Sequence, residues 1–218
     1  MSAFGYRKPA DLPRTIPLFP LAGALLFPRA ALSLNVFEPR YLNMVDDALA
    51  GGRLIGVIQP ATGEENETVP GLSDVGAIGR ITSFTEAEDG RYLITLTGVC
   101  RFTLEHEIEG GAPYRQAFVS YEEFADDFSQ ASGRGINREQ LMVSLRAYAA
   151  LHGFQVDWSA VDKAPIETIV NLAAQLCPFD PAAKQALLEA VSLEQRCLAL
   201  VALLEWDSAS GDPQRPLQ

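Results

Sequence analysis

Apolar positions follow two regimes along this chain: short runs and alternations up to Tyr121, and a helical period beyond Gly135. Residues 1–14 are polar with scattered prolines and are expected to form a flexible arm. The first packed element begins at Ile16. Leu25–Pro28 and Leu32–Phe37 read as short strands, each ended by a residue unsuited to a helix interior. At Glu38 the period changes. Tyr41, Leu42, Val45 and Leu49 recur at helical spacing, Pro39 sits where its missing N–H costs nothing, and Gly51-Gly52 is the stop. Leu54–Ile58 returns to a β-type run, and the acidic stretch Glu64–Pro70 reads as a surface loop. Ile78–Thr85 and Tyr92–Ile108 then flank a Glu88-Asp89-Gly90 turn. In the longer run Tyr92, Ile94, Leu96, Cys100, Phe102 and Leu104 fall on one face, and Thr95, Thr97, Arg101, Thr103 and Glu105 on the other. Gly98 is the expected bulge or barrel corner. Tyr114–Tyr121 supplies the last strand.

Composition shifts over Glu122–Gly135, where acidic, serine and glycine residues cluster, and a boundary is placed there. Beyond it, Asn137 with Gln140 resembles a capping box opening a helix with Leu141, Leu145, Tyr148 and Leu151. Ile166, Ile169, Val170, Ala173 and Leu176 mark a second helix. Asp180-Pro181 opens a third, and Ser192 with Gln195 opens the last, whose stripe is Leu193, Cys197, Leu200, Val201 and Leu204. The expected organisation is a flexible arm (1–14), a β-rich sub-domain (15–121), a linker (122–135), a helical bundle (136–207) and a flexible tail (208–218). The fold class is α+β.

With 48% apolar residues the chain has material for a core. Its net charge of −11 is shared: residues 1–124 carry 10 basic and 16 acidic side chains, and 125–218 carry 7 and 12. Neither part offers the basic field that phosphate backbones need, which argues against nucleic acid and anionic membrane as partners. Cys100, Cys177 and Cys197 form no CxxC pair and suit buried reduced thiols. The apolar stretch Ile16–Phe27 is interrupted by Pro17 and Pro20 and is too short to span a bilayer, so a cytoplasmic location is expected. Asn66-Glu67-Thr68 matches a glycosylation sequon and is read as chance.

Candidate chemistry is sparse. A P-loop ends in Gly-Lys-Ser/Thr, and the chain contains no Gly-Lys dipeptide. Ser159 and Lys163 lie four apart in what reads as a loop, without a partner that would activate a nucleophile. His106 is placed at an exposed strand end, and His152 at a helix end beside Gly153. No Cys, His or carboxylate cluster has metal-ligand spacing. No catalytic residue, metal or cofactor is therefore assigned.

Six segments taken together carry a resemblance: IPLFPL at 16–21, LLFP at 25–28, FEPRY at 37–41, GGRLIGV at 51–57, VGAIGRI at 75–81 and LTGVCRF at 96–102. In this order they resemble the Lon protease N-terminal, or substrate-binding, domain family. The resemblance implies a β-rich, PUA-like sub-domain followed by a helical bundle, and 218 residues leave no room for the ATPase and protease modules of the full-length enzymes. It also implies a non-enzymatic module that binds protein or unfolded polypeptide, an adaptor or regulator of proteolysis or protein quality control that works with a separate ATPase or protease. An RNA-binding PUA-like module is the alternative, disfavoured by charge. Glu38, Arg40, Tyr41 and Leu42 are the expected polypeptide-binding residues. Tyr41 and Leu42 are less charged than the matching positions of many protease members, which favours apolar segments or a core role. Phe124 and Phe128 are further apolar candidates, expected to dock on their own domain.

Overall fold

A computed structural model describes residues 3–61 and 69–210 and divides the chain into two units, Met1–Gln130 and Ala131–Gln218. The first is built on six strands, β1 (Thr15–Pro20), β2 (Ala31–Val36), β3 (Leu54–Pro60), β4 (Leu72–Glu86), β5 (Tyr92–Ile108) and β6 (Gln116–Ser120), in the order β2-β5-β4-β3-β1-β6. β6 also pairs with β5, so five strands close into a ring and β2 stays outside it, at an edge. Only β1–β3 is parallel.

Closure depends on how β5 changes partner. Its residues 92–97 pair with β2 and its residues 103–108 with β6. Between them the register with β4 slips, since Ile78 faces Cys100 while Gly79 faces Gly98, which leaves Val99 as the extra residue of a bulge. Gly98 is required for a different reason. A Cβ there would lie 2.0 Å from the carbonyl oxygen of Phe27, so only glycine lets that backbone cross. The strand expected at Leu25–Pro28 is corrected accordingly: Leu25, Leu26 and Phe27 are buried without strand pairing. Their neighbours are tied by backbone bonds, Arg29 N–H to Gly98 O on β5 and Ala30 N–H to Phe27 O.

Alternation supplies both faces of the sheet. Ile16, Leu18, Ile58, Ile78, Cys100, Phe102, Ala117 and Val119 fill the inside of the ring, where Gly56 and Gly76 make room for the Phe102 ring. On the outside, Phe19, Val57, Ala77, Ile81, Ile94 and Leu96 receive helix α1 (Pro39–Ala50) through Tyr41, Met44, Val45 and Ala48. Met44 and Val45 are fully buried, each gaining about 1.5–3 kcal/mol by transfer from water.

Three expectations for this unit need correction. Residues 3–14 do not stand off as an arm: Leu12 is buried in the ring cluster, Tyr6 packs against it, and Tyr121 Oη donates to Pro13 O at 2.8 Å. Residues 122–128 of the expected linker form a 3-10 segment that belongs to the first unit, with Phe124 buried and Phe128 half-buried on the ring cluster. Arg101, grouped by alternation with the polar face of β5, is 3% exposed. Its Nε and a terminal nitrogen donate to the two carboxylate oxygens of Asp127 at 2.9 Å, and its backbone N–H donates to Oδ2 at 2.9 Å. The guanidinium also lies 4.3 Å from the Phe124 ring centre, and Arg29 donates to Asp127 O at 2.6 Å. This buried pair ties the 3-10 segment to β5.

The second unit contains α2 (Arg138–Leu151), α3 (Trp158–Lys163), α4 (Ile166–Leu176), α5 (Pro181–Glu189) and α6 (Leu193–Ser210). The expected caps form: Asn137, Asp180 and Ser192 accept from the backbone N–H groups of Gln140, Ala183 and Gln195. α6 buries Leu193, Cys197, Leu200, Val201 and Leu204 and packs against α2, α4 and α5. Buried Arg196 joins α6 to α5 through Leu187 O and to α4 through Asn171 Oδ1. Ser159 and Lys163 lie on α3 rather than in a loop, where Asp157 caps the helix and accepts from Ser159 Oγ at 2.8 Å. The tail expected from 208 begins as helix through Ser210, and 211–218 lie outside the described residues, as do 62–68 with the sequon and most of the acidic loop.

Candidate functional site

A cleft of about 260 Å³ opens beside the start of α1, lined by Arg40, Tyr41, Glu107, Ile108, Gly110, Ala112, Pro113, Tyr114 and Arg115. One wall is the first turn of α1. Glu38 occupies the N-cap position, and its carbonyl accepts from Tyr41 N and Leu42 N at 2.9 and 3.0 Å. The Glu38 carboxylate makes no cap bond. It instead accepts from Arg40 Nε at 2.9 Å, in a pair that is half-exposed on both sides. Arg40 lies 4.6 Å from the Tyr41 ring centre, and Tyr41 stacks on Phe19 at 4.3 Å. Tyr41 is thus mostly core, with one rim on the cleft. Burial pushes its phenol up first, Arg40 pulls it down, Glu38 raises it, and Arg115 lowers it.

The other wall comes from the end of β5, the turn at Gly110-Gly111 and the approach to β6. Positive φ at both glycines, 81° and 91°, reverses the chain there. Arg115 donates to Glu107 through Nε at 2.6 Å and to Pro70 O at 2.8 Å. Tyr114 Oη donates to Asp47 Oδ2 at 2.7 Å, a bond that links this wall to α1. Its phenol is pushed up to about 12, by burial first and then by that carboxylate.

The four residues singled out from sequence therefore separate. Arg40 and Tyr41 line the cleft, Glu38 orients Arg40 from beside it, and Leu42 is half-buried at the margin of the α1 core. Glu107, Tyr114 and Arg115 were missed. Their available signal was a second triplet of proline, tyrosine and arginine, Pro113-Tyr114-Arg115, across the cleft from Pro39-Arg40-Tyr41 in which the last two are exchanged.

Elsewhere the titratable groups have partners that suit structure. His106 stacks on Phe118 at 4.8 Å, and His152 Nε2 lies 2.8 Å from an Asp207 carboxylate oxygen. The three cysteines are buried as expected, and burial raises each thiol, Cys197 to about 11 and Cys177 to about 12. Among the described residues no group of three or more His, Cys, Asp or Glu side chains could hold a metal ion, and no helix is long and apolar enough to cross a membrane.

The comparisons with known proteins agree with this architecture. The chain is 26% identical over 216 residues to Lon protease 2 of Myxococcus xanthus, an alignment covering 94% of this chain and 25% of that protein. It is 30% identical over 108 residues to the Lon protease of Desulfosudis oleivorans, covering 49% and 13%. The chain thus spans about a quarter or less of these curated relatives. Among solved structures, a Lon N-terminal domain protein from Xanthomonas campestris superposes with a TM-score of 0.59 at 26% identity, covering 86% of this chain and 97% of that one. The N-terminal domain of the Mycobacterium avium complex Lon protease superposes with a TM-score of 0.60 at 14% identity, and so speaks for the fold alone. A family model described as the ATP-dependent protease La (LON) substrate-binding domain matches residues 15–205. This chain belongs to the LON substrate-binding domain family.

Proposed function

We propose that the protein is a non-enzymatic polypeptide-recognition module, an adaptor or regulator in proteolysis or protein quality control, and that the cleft beside α1 is one of its contact sites. The observation that supports this reading most is the cleft's composition. Two arginines sit beside the rims of Tyr41 and Tyr114: Arg40, half-exposed and paired with Glu38, and Arg115, held by Glu107 and Pro70 O. Such a lining accepts polypeptide carbonyls and carboxylates along one side and side-chain carbons along the other. The acidic balance of the chain argues against RNA as the alternative ligand.

The test places a photo-crosslinking residue at Ala112, on the cleft wall, and exposes the protein to a reduced, permanently unfolded polypeptide and, separately, to structured RNA. Crosslinks to the polypeptide, lost in Arg40→Ala, are the expected result. Crosslinks to RNA alone overturn the reading.

A further inference from the structure

The first unit leaves one strand of its sheet at an open edge. Among the described residues β2 has β5 as its only neighbour in the sheet, while the ring beside it is closed. Gly98 N–H donates to Ala30 O, and antiparallel pairs alternate between bonded and non-bonded. The register Leu32↔Leu96 and Leu34↔Ile94 therefore turns the even residues of β2 toward β5, and turns the N–H and C=O of Ser33 and Asn35 out to the edge.

Natural edges are usually blunted by lysine, proline, a bulge or inward charge. β2, ALSLNV, has none of these: it contains no charge and no proline, and its register with β5 runs without a slip. The leucines around it are only partly covered. Leu32 and Leu34 on β2, and Leu42 and Leu49 on α1, are half-buried at the margin of one core cluster. Asp46, between those two leucines on the same helical face, is near enough to raise the phenol of Tyr92, the residue opposite Val36, so this face of α1 looks toward the end of β2.

We infer that the β2 edge takes an extended, β-branched or apolar polypeptide segment as an added strand, with alternate side chains settling on Leu32, Leu34, Leu42 and Leu49. The occupant follows from what the edge offers. A row of backbone donors and acceptors is matched by another extended backbone, and six residues of β2 match a segment of similar length. Asp46 and Glu86 both act on Tyr92 at the Val36 end, so a basic residue flanking the segment is favoured there. A second copy of this chain is a poorer occupant, because two chains each carrying −11 repel on approach. The inference rests on polypeptide recognition but assigns it to a surface other than the cleft.

The probe is a fluorescein-labelled nonapeptide of alternating valine and threonine with lysine at each end, alongside an isomer whose alternate amides are N-methylated. With the intact protein, the plain peptide is expected to bind and to slow hydrogen exchange at the Ser33 and Asn35 amides, and N-methylation to weaken binding at least about tenfold. Ser33→Pro, tolerated at an edge because its N–H points outward, is expected to weaken the plain peptide similarly. Equal binding of both peptides, or unchanged exchange at Ser33 and Asn35, overturns the edge assignment. If unfolded polypeptide still crosslinks at Ala112 in that case, recognition stands without the edge; if it does not, both readings fall. Protection of the Ser33 and Asn35 amides before peptide is added, together with a dimer by sedimentation, makes a second copy the occupant and also overturns the proposal.

Discussion

Two arginine sites in the first unit use the same chemistry to opposite ends. At the ring seam, Arg101 is closed in by Asp127 and the Phe124 ring, and is almost without contact to water. At the cleft, Arg40 has the Glu38 carboxylate on one side, a tyrosine rim nearby and a half-exposed side chain, while Arg115 is tied to both Glu107 and Pro70 O. A guanidinium held from every direction is architecture, since desolvating it without its partner is costly. One held from a single direction has donors left for a ligand. The contrast separates the charges that build this fold from those that can serve recognition.

The strongest way to break the comparison is at the seam's glycine. Gly98→Ala drives a methyl group against the Phe27 carbonyl, a backbone atom with no rotamer to yield, and is expected to cost more than about 4 kcal/mol or prevent folding. Urea denaturation followed by circular dichroism reads this directly, and a stable, soluble Gly98→Ala protein refutes the crossing. Next, Asp127→Ala leaves Arg101 buried without its carboxylate, for an expected loss of about 3–5 kcal/mol. Replacing the pair together, Arg101→Met with Asp127→Leu, is expected to recover most of that loss. If the single and double variants are equally unstable, the pair is not what holds the 3-10 segment.

At the cleft the stability effects shrink. Tyr114→Phe removes one bond to Asp47 and is expected to cost about 0.5–1.5 kcal/mol near neutral pH. Its sign with pH is defined. The Tyr114 phenol titrates at about 12 against an ordinary value of 10, so its contribution is whole below pH 10 and is lost as pH rises toward 12. Absorbance titration near 295 nm should lose a component with a midpoint of about 12 in Tyr114→Phe. Smallest of all is Glu38→Ala, expected to change stability by less than about 1 kcal/mol because the pair is half-exposed. Crosslinking of unfolded polypeptide at Ala112 should nevertheless fall, since Arg40 loses the group that orients it. An unchanged yield removes Arg40's positioning from the account.

Local signals were the ones legible in the sequence. The bounds of β5, the start of α1 at Pro39 and the caps at Asn137, Asp180 and Ser192 depend on residues within a few positions of one another. Leu25–Phe27 misled because an apolar run reports burial, not backbone pairing, and this run is buried as a loop. The six residues of α3 are too few to show a period, although Asp157 before Ser159 was a readable cap. Arg101 misled for another reason. Alternation assigned it to the polar face, and the carboxylate that permits its burial lies 26 positions further on. The cleft was half-legible by the same rule. Pro39-Arg40-Tyr41 stands at a helix start that can be read, whereas Pro113-Tyr114-Arg115 joins it only through a ring closed by distant strands.

That closure also sets an order of events during synthesis. Thr15 pairs with Phe118 and Ile16 with Ala117, so β1 waits for nearly the whole first unit before its second neighbour exists. Pairings this distant slow folding toward the millisecond-to-second range. A ribosome adding about 5–20 residues each second holds β1 half-paired for several seconds. During that interval the protein itself displays the kind of unpaired strand that protein quality control exists to find.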